Sequence, residues 1–208
     1  MTFQIFCDQL SARLHGGPPA VRGLLADPRH AAVVAIFRQA PAAEEGGQPG
    51  EPELLLIRRA EVAGDPWSGH VAFPGGRMDP GDAGPMGAAL REVHEELGLV
   101  LEAHGRILGE LSGQLTLPQL GRQMVVHPFV AALESTPELQ PNREVARVLW
   151  VPWRHLVQGE GLGILNWEWK GRQLELPCRR LQGEVLWGMT LRMVEDLLRL
   201  LDGFAAGE

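Results

Sequence analysis

The chain has 208 residues, of which 45% are hydrophobic and 22% charged, and its formal net charge is −7. This is the make-up of one soluble globular domain with terminal elaborations, long enough to bury a full core. A negative chain without an offsetting basic run speaks against general nucleic-acid binding, and no apolar stretch approaches the roughly 20 residues of a membrane span. Only Cys7 and Cys178 are present, far apart and without metal-type spacing. With no signal-peptide core in MTFQIFCDQLSARL, they point to the reducing cytoplasm.

In chain order, Phe3, Phe6, Cys7, Leu10 and Leu14 recur at helical spacing, and Gly16-Gly17-Pro18-Pro19 ends that helix. Residues 1–30 therefore read as an N-terminal helical segment, ahead of a main domain over 31–208. AAVVAIF (31–37) has the β-branched content of a buried strand, and LLLIRR (54–59) reads as its hairpin partner. The Gly/Pro-rich stretch 40–53 between them predicts a mobile connection. HVAF (70–73) is a short strand feeding a Gly75-Gly76 turn, and a helix follows over 86–97. Strands are expected at 106–116, 124–133 and 147–153, the last stopped by Pro152. A hairpin over 164–177 turns at Lys170-Gly171, and VLWGMTLRMVEDLLRLL carries helical periodicity to the end. Mixed strands with helices before, between and after them suggest an α/β/α sandwich around a mixed β-sheet.

The helix at 86–97 carries the chemistry. At about 100° per residue, Glu95 and Glu96 fall within roughly 60° of Glu92, so three carboxylates share one stripe. Met86, Leu90, Val93 and Leu97 occupy the opposite side and can anchor the helix. Arg91 precedes Glu95 by four residues and can pair with it, and Gly98 suits the left-handed residue after a helix end. Carboxylates so placed repel by about 0.2–0.5 kcal/mol per pair. A divalent cation that takes hard oxygen ligands, Mg²⁺ or Mn²⁺, would reverse that sign. The bland alternative is a solvated helix face, which the preceding glycine turn makes less attractive.

This segment resembles the Nudix box, G-x5-E-x7-R-E-U-x-E-E-x-G-U with U aliphatic. Arg91, Glu92, Val93, Glu95, Glu96, Gly98 and Leu99 match its second half. Counting from Gly76, the acidic position falls on Asp82, and eight residues rather than seven separate it from Arg91. LLLIRR, HVAFPGGR, HPFVAAL, EVARVLWVP and LWGMT resemble the coenzyme A pyrophosphatase branch, whereas Gly64–His70 departs from it. The resemblance implies the α/β/α sandwich, with Mg²⁺ or Mn²⁺ held by Glu92, Glu95 and Glu96 and assisted by a carbonyl near Gly76. It further implies hydrolysis of a diphosphate bond in a small nucleotide, with coenzyme A or a related dinucleotide the leading substrate.

The residues around the box have assignable roles. Gly75 and Gly76 lack a Cβ and let backbone approach metal or phosphate, or simply make a tight turn. Arg91 would orient a glutamate. The general base would be Glu92 or Glu95, with Glu144 as a candidate from the loop before the 147–153 strand; a surface salt bridge is the competing role for Glu144. Alternation along the strand points only one of Arg58 and Arg59 inward as a phosphate clamp. Trp67 would either stack on a base or pack beside its loop, and His70 and His127 are assigned to sheet edges or core contacts. His94-Glu95 begins a zinc-protease pattern that Gly98 breaks, and neither a P-loop nor a G-x-S-x-G elbow is present. Rival functions are hydrolysis of nucleoside di- or triphosphates or nucleotide sugars, a nucleotide-sensing module without turnover, and a homodimeric scaffold.

Overall fold

The computed structural model describes residues 2–14, 29–41, 50–64, 67–116, 123–169 and 171–201. Helix α1 (Phe3–Arg13) is followed by strands β1 (Arg29–Gln39), β2 (Pro52–Arg59), β3 (Val71–Ala72) and β4 (Gly75–Arg77). Next come α2 (Gly84–Leu97), α3 (Leu101–His104), β5 (Gly105–Glu110), β6 (Gln114–Leu115), β7 (Met124–Leu133) and β8 (Val145–Pro152). The chain continues through α4 (Trp153–Val157), β9 (Leu162–Trp169), β10 (Arg172–Leu181), β11 (Glu184–Trp187) and α5 (Gly188–Leu201).

An eight-stranded mixed sheet forms the centre, with a three-stranded sheet of β9, β10 and β11 beside it. β1 runs parallel to β7 and antiparallel to β2. Side chains alternate across the main sheet as the period of two requires. Ala35, Phe37, Leu54, Leu56, Val130 and Ala132 meet Phe6 and Leu10 of α1 and Leu191, Val194 and Leu197 of α5 on one face. Val34, Ile36, Leu55, Ile57, Phe129 and Ala131 meet Ala88, Ala89, Val93 and Leu97 of α2 on the other. Two cores on opposite faces make the expected α/β/α sandwich.

Several expected boundaries move. The stretch 106–116 is broken at Leu111–Gly113 into β5 and β6, and Leu111 buries its side chain there. Gly75–Arg77 is a strand rather than a turn alone, because it hydrogen-bonds to β1. Val185–Trp187 falls within strand β11, and helical structure starts only at Gly188, whose φ is +68°. The connection at 40–53 ends early: Glu53 is buried in β2 and forms an ion pair with Arg38 at 2.8 Å. Residues 42–49 of it, Gly16–Pro19 and Lys170 lie outside the described residues.

Phe6 lies fully buried, edge-on to Phe37 at 5.0 Å and to Trp153 at 5.8 Å between ring centroids. Truncating it removes a large apolar side chain from the shared core. Phe6→Ala should cost about 3–5 kcal/mol and lower the melting temperature by roughly 10 °C in a domain of this size. Thermal unfolding followed by circular dichroism checks this, and an unchanged midpoint would show that α1 contributes nothing to the core.

Candidate active site

A split in the sheet creates the site. β1 and β2 pair only over Phe37–Gln39 with Pro52–Leu54. Beyond that they diverge, so that β4 takes the freed edge of β1 and β3 takes that of β2. The Pro74 carbonyl in between accepts the Val34 N–H at 2.9 Å. Gly75 and Gly76 are pressed into this opening. A Cβ on Gly75, at φ +142°, would collide with the Ala32 carbonyl, and one on Gly76 would overlap the Glu92 carboxylate. Both glycines are demanded by close approach.

α2 crosses the opening. Gly98 ends it in the left-handed conformation at φ +65°, its N–H donating to the His94 carbonyl. Glu96 is 2% exposed, and its Oε2 accepts the Gly75 N–H at 2.8 Å. Burial pushes the Glu96 carboxyl up to about 7; the Glu92 and Glu144 charges add to this, while the Gly75 N–H and Arg59 oppose it. Glu92 is half-buried and is also raised, chiefly by desolvation, with Arg91 opposing. Glu95 is exposed.

Arg91 ties these groups together. Its Nε donates to Asp82 Oδ1 at 2.8 Å and its Nη2 to Asp82 Oδ2 at 3.0 Å, a bidentate fork. Nη1 donates to Glu92 Oε1 and Glu95 Oε2, each at 3.1 Å, and Nη2 also reaches the Arg77 carbonyl at 3.0 Å. The Arg91 hydrogen bonds, with that of the Asp79 N–H, hold the Asp82 carboxyl down to about 2. The one-residue-longer loop therefore still delivers an acid to Arg91, and Asp82 anchors the arginine that orients Glu92 and Glu95.

Residues 139–144 cap the other end of α2. The Gln140 N–H donates to the Leu97 carbonyl at 2.7 Å and the Asn142 N–H to the Glu96 carbonyl at 2.9 Å, satisfying two otherwise orphaned acceptors. Asn142 Oδ1 accepts the Glu144 N–H at 2.7 Å, and the Glu144 carbonyl accepts the Ala60 N–H at 2.8 Å. This brings Glu144 close enough for its charge to raise both Glu92 and Glu96. The two strand-end arginines diverge, with a register shift against β8 between them. Arg58 forms ion pairs with Glu61 at 2.8 Å and Glu184 at 3.3 Å. Arg59 instead directs its charge at Glu96. Trp67 packs edge-on to His70, their ring centroids 5.7 Å apart, and His127 lies in β7 between Glu110 and His30. His70 lies at the sheet edge, its carbonyl accepting the Arg59 N–H, and its ring also contacts Trp167 and Trp187, which its sequence neighbours gave no means of foreseeing.

Carboxylates and backbone carbonyls are hard oxygen donors suited to Mg²⁺ or Mn²⁺. Among the described residues no three Asp, Glu, His or Cys side chains already converge as a metal cluster. Glu95 is turned to Arg91, and Glu96 to the Gly75 N–H. The donor set nevertheless fits a divalent cation, because two like charges, Glu92 and Glu96, are withdrawn from water beside a glycine backbone. Such a cation would relieve their mutual repulsion.

The NUDIX domain model matches residues 28–170. Similar proteins include the uncharacterized Nudix hydrolase NudL of Photorhabdus laumondii, 30% identical over 86% of this chain and 89% of its own. Another is the mitochondrial coenzyme A diphosphatase NUDT8 of Homo sapiens, 34% identical over 73% of this chain and 64% of the human protein. Among solved structures, a C. elegans Ap4A hydrolase in a binary complex covers 86% of this chain and 99% of its own, with a TM-score of 0.54 and 20% identity. The NUDIX domain of Shewanella oneidensis NrtR complexed with ADP ribose covers 85% and 90%, with a TM-score of 0.53 and 17% identity. These two agree in fold. The chain belongs to the Nudix hydrolase family. Its activity class is that of a pyrophosphohydrolase.

Glu96 yields a stability prediction for the metal-free protein. Its folded pKa of about 7 lies above the ordinary 4.5, so the fold holds a proton that the unfolded chain has already released. The stability tied to that proton is complete below about pH 4.5 and lost as pH rises through about 7. The loss should be on the order of 3 kcal/mol. Unfolding titrations in EDTA from about pH 4 to about pH 8, which bracket the two pKa values, should show it, and Glu96→Gln should flatten the slope. An equal slope in the variant would move the effect elsewhere.

Proposed function

We propose that the chain hydrolyses the diphosphate bond of coenzyme A or a related adenosine-containing dinucleotide with Mg²⁺ or Mn²⁺. The observation that carries this reading is the carboxylate stripe of α2 held against Gly75-Gly76 with Arg91 fixing Glu92 and Glu95. A diphosphate resists water because its anionic oxygens repel a nucleophile. When bound, the divalent cation neutralises that charge and lowers the pKa of the attacking water. Glu92, Glu95 and Glu96 supply carboxylate oxygens for it, with a backbone oxygen at Gly76. Arg91 limits the freedom of Glu92 and Glu95, and Asp82 limits that of Arg91.

Glu92 or Glu95 takes the proton of the water, with Glu144 the loop alternative as general base. Of the two strand-end arginines, Arg59 is the one to meet the diphosphate, since its charge acts on the buried Glu96, whereas Arg58 pairs with Glu61 and with Glu184 of β11. Water adds to one phosphorus, the bridging oxygen leaves with the other, and each product keeps one phosphate of the cleaved linkage. From coenzyme A these are an adenosine bisphosphate and phosphopantetheine. The substrate assignment is supported by the likeness to the human coenzyme A diphosphatase and by the segments flanking the box. Cys7 and Cys178, free and buried, suit a reducing cytoplasm. No helix among the described residues is long and apolar enough to cross a membrane.

Glu92→Gln and Glu96→Gln should each lower turnover by orders of magnitude while the fold persists. Full activity in both would sink the metal assignment. Arg59→Ala should raise KM strongly, and Arg58→Ala only slightly. Product analysis with coenzyme A and with nucleoside triphosphates decides the substrate: cleavage of the triphosphates alone would favour the nucleotide pyrophosphohydrolase reading.

A further inference from the structure

Beside the carboxylate site lies an aromatic cluster that belongs to neither core. His70 is its hub. The imidazole stands edge-on to Trp67 at 5.7 Å and 74°, to Trp167 at 5.8 Å and 77°, and to Trp187 at 4.8 Å and 62°. Trp167 and Trp187 also contact each other at 4.7 Å. The four rings come from three places in the chain: the residues before β3, strand β9 and strand β11. Trp67 is 40% exposed, and the other three are half-buried. Rings serving only to join the small sheet to β3 would be expected to close over one another; here the outermost indole faces water.

The position of the cluster supplies a second argument. The His70 carbonyl accepts the Arg59 N–H at 2.9 Å, and Arg59 is the cation whose charge acts on Glu96. From the carboxylates the order thus runs to Arg59 and, one strand further, to the segment that carries His70 and its ring contacts. That order matches metal-neutralised diphosphate, phosphate charge and ring in a nucleotide. We infer that Trp67, His70, Trp167 and Trp187 form a platform that receives the purine ring of the substrate. This inference rests on the diphosphate-hydrolase reading. Flat aromatic faces favour any purine, because stacking does not read hydrogen-bonding edges.

The test uses the whole chain without metal, with adenosine 5′-monophosphate as probe and ribose 5-phosphate as the control that lacks the ring. Adenosine monophosphate should shift the indole N–H resonances of Trp67, Trp167 and Trp187. Those of Trp153, buried in the core, and Trp150, stacked under Arg38, should not move. Ribose 5-phosphate should bind at least about fivefold more weakly, the smallest gain expected from one stacked base. Trp67→Ala should weaken adenosine monophosphate by at least about fivefold and leave ribose 5-phosphate unchanged, whereas Trp67→Phe should retain most of the affinity. With coenzyme A, Trp67→Ala should raise KM and leave kcat nearly unaltered. Equal affinity for the two probes, no detectable binding, or an unaffected Trp67→Ala would each overturn the platform. Unchanged coenzyme A cleavage in Trp67→Ala would do the same and leave the diphosphatase reading intact. A ring-dependent shift without coenzyme A cleavage would remove that reading and keep the purine site.

Discussion

Everything at this site depends on how closely α2 can approach the backbone at Gly75-Gly76. Because neither glycine has a Cβ, the Glu92 carboxylate occupies the space a side chain would fill, and Glu96 reaches the Gly75 N–H. That approach is possible only because β1 and β2 part company after Phe37–Gln39 and leave the β3–β4 corner room to enter. Its cost is electrostatic: two carboxylates share a partly dry space, and the more buried one holds its proton well above the ordinary carboxylate range. The hydrophobic side of α2, with Ala88, Ala89, Val93 and Leu97 fully buried, holds the helix there against that repulsion.

Arg91 makes the arrangement tolerant of variation in the preceding loop. A guanidinium has donors in a planar fork, so one side can engage Asp82 while another reaches Glu92 and Glu95. The loop may gain a residue without disturbing the helix, provided an acid still arrives at the fork. The two ends of α2 are thus fixed by different means: ionic contacts near Asp82, and backbone hydrogen bonds from Gln140 and Asn142 at the far end.

The carboxylate helix was legible in the sequence because its information is local: spacing, a helix-ending glycine and an adjacent glycine pair. The main strands were legible for the same reason, through runs such as AAVVAIF and LLLIRR. What escaped depends on pairing at a distance. Gly75–Arg77 becomes a strand only because Ala31–Val33 lies beside it. The exception is Val185–Trp187, which continues a helical periodicity on paper yet folds back locally on Cys178–Arg180 across a positive-φ turn at Gln182-Gly183. His70, Trp167 and Trp187 are separated by long stretches of chain, so no window of sequence contains the cluster. Which of Arg58 and Arg59 faces the carboxylates also required the structure, since a bulge interrupts the alternation between them.

The parallel pairing of β1 with β7 has a consequence for how the molecule is made. Arg29 lies beside Met124 and Phe37 beside Ala132, so the central seam of the sheet joins chain segments far apart in sequence. As the chain emerges from the ribosome, β1, β2 and β4 can pair locally, and the glycine corner and α2 can follow. The second edge of β1 nevertheless stays open until β7 has been synthesised. Closing so long a loop carries an entropic penalty before the seam returns any stabilisation. Ala35 and Phe37 therefore sit on an unfinished strand through much of synthesis, which makes this edge the point where a nascent chain is most exposed to wrong pairing with another strand.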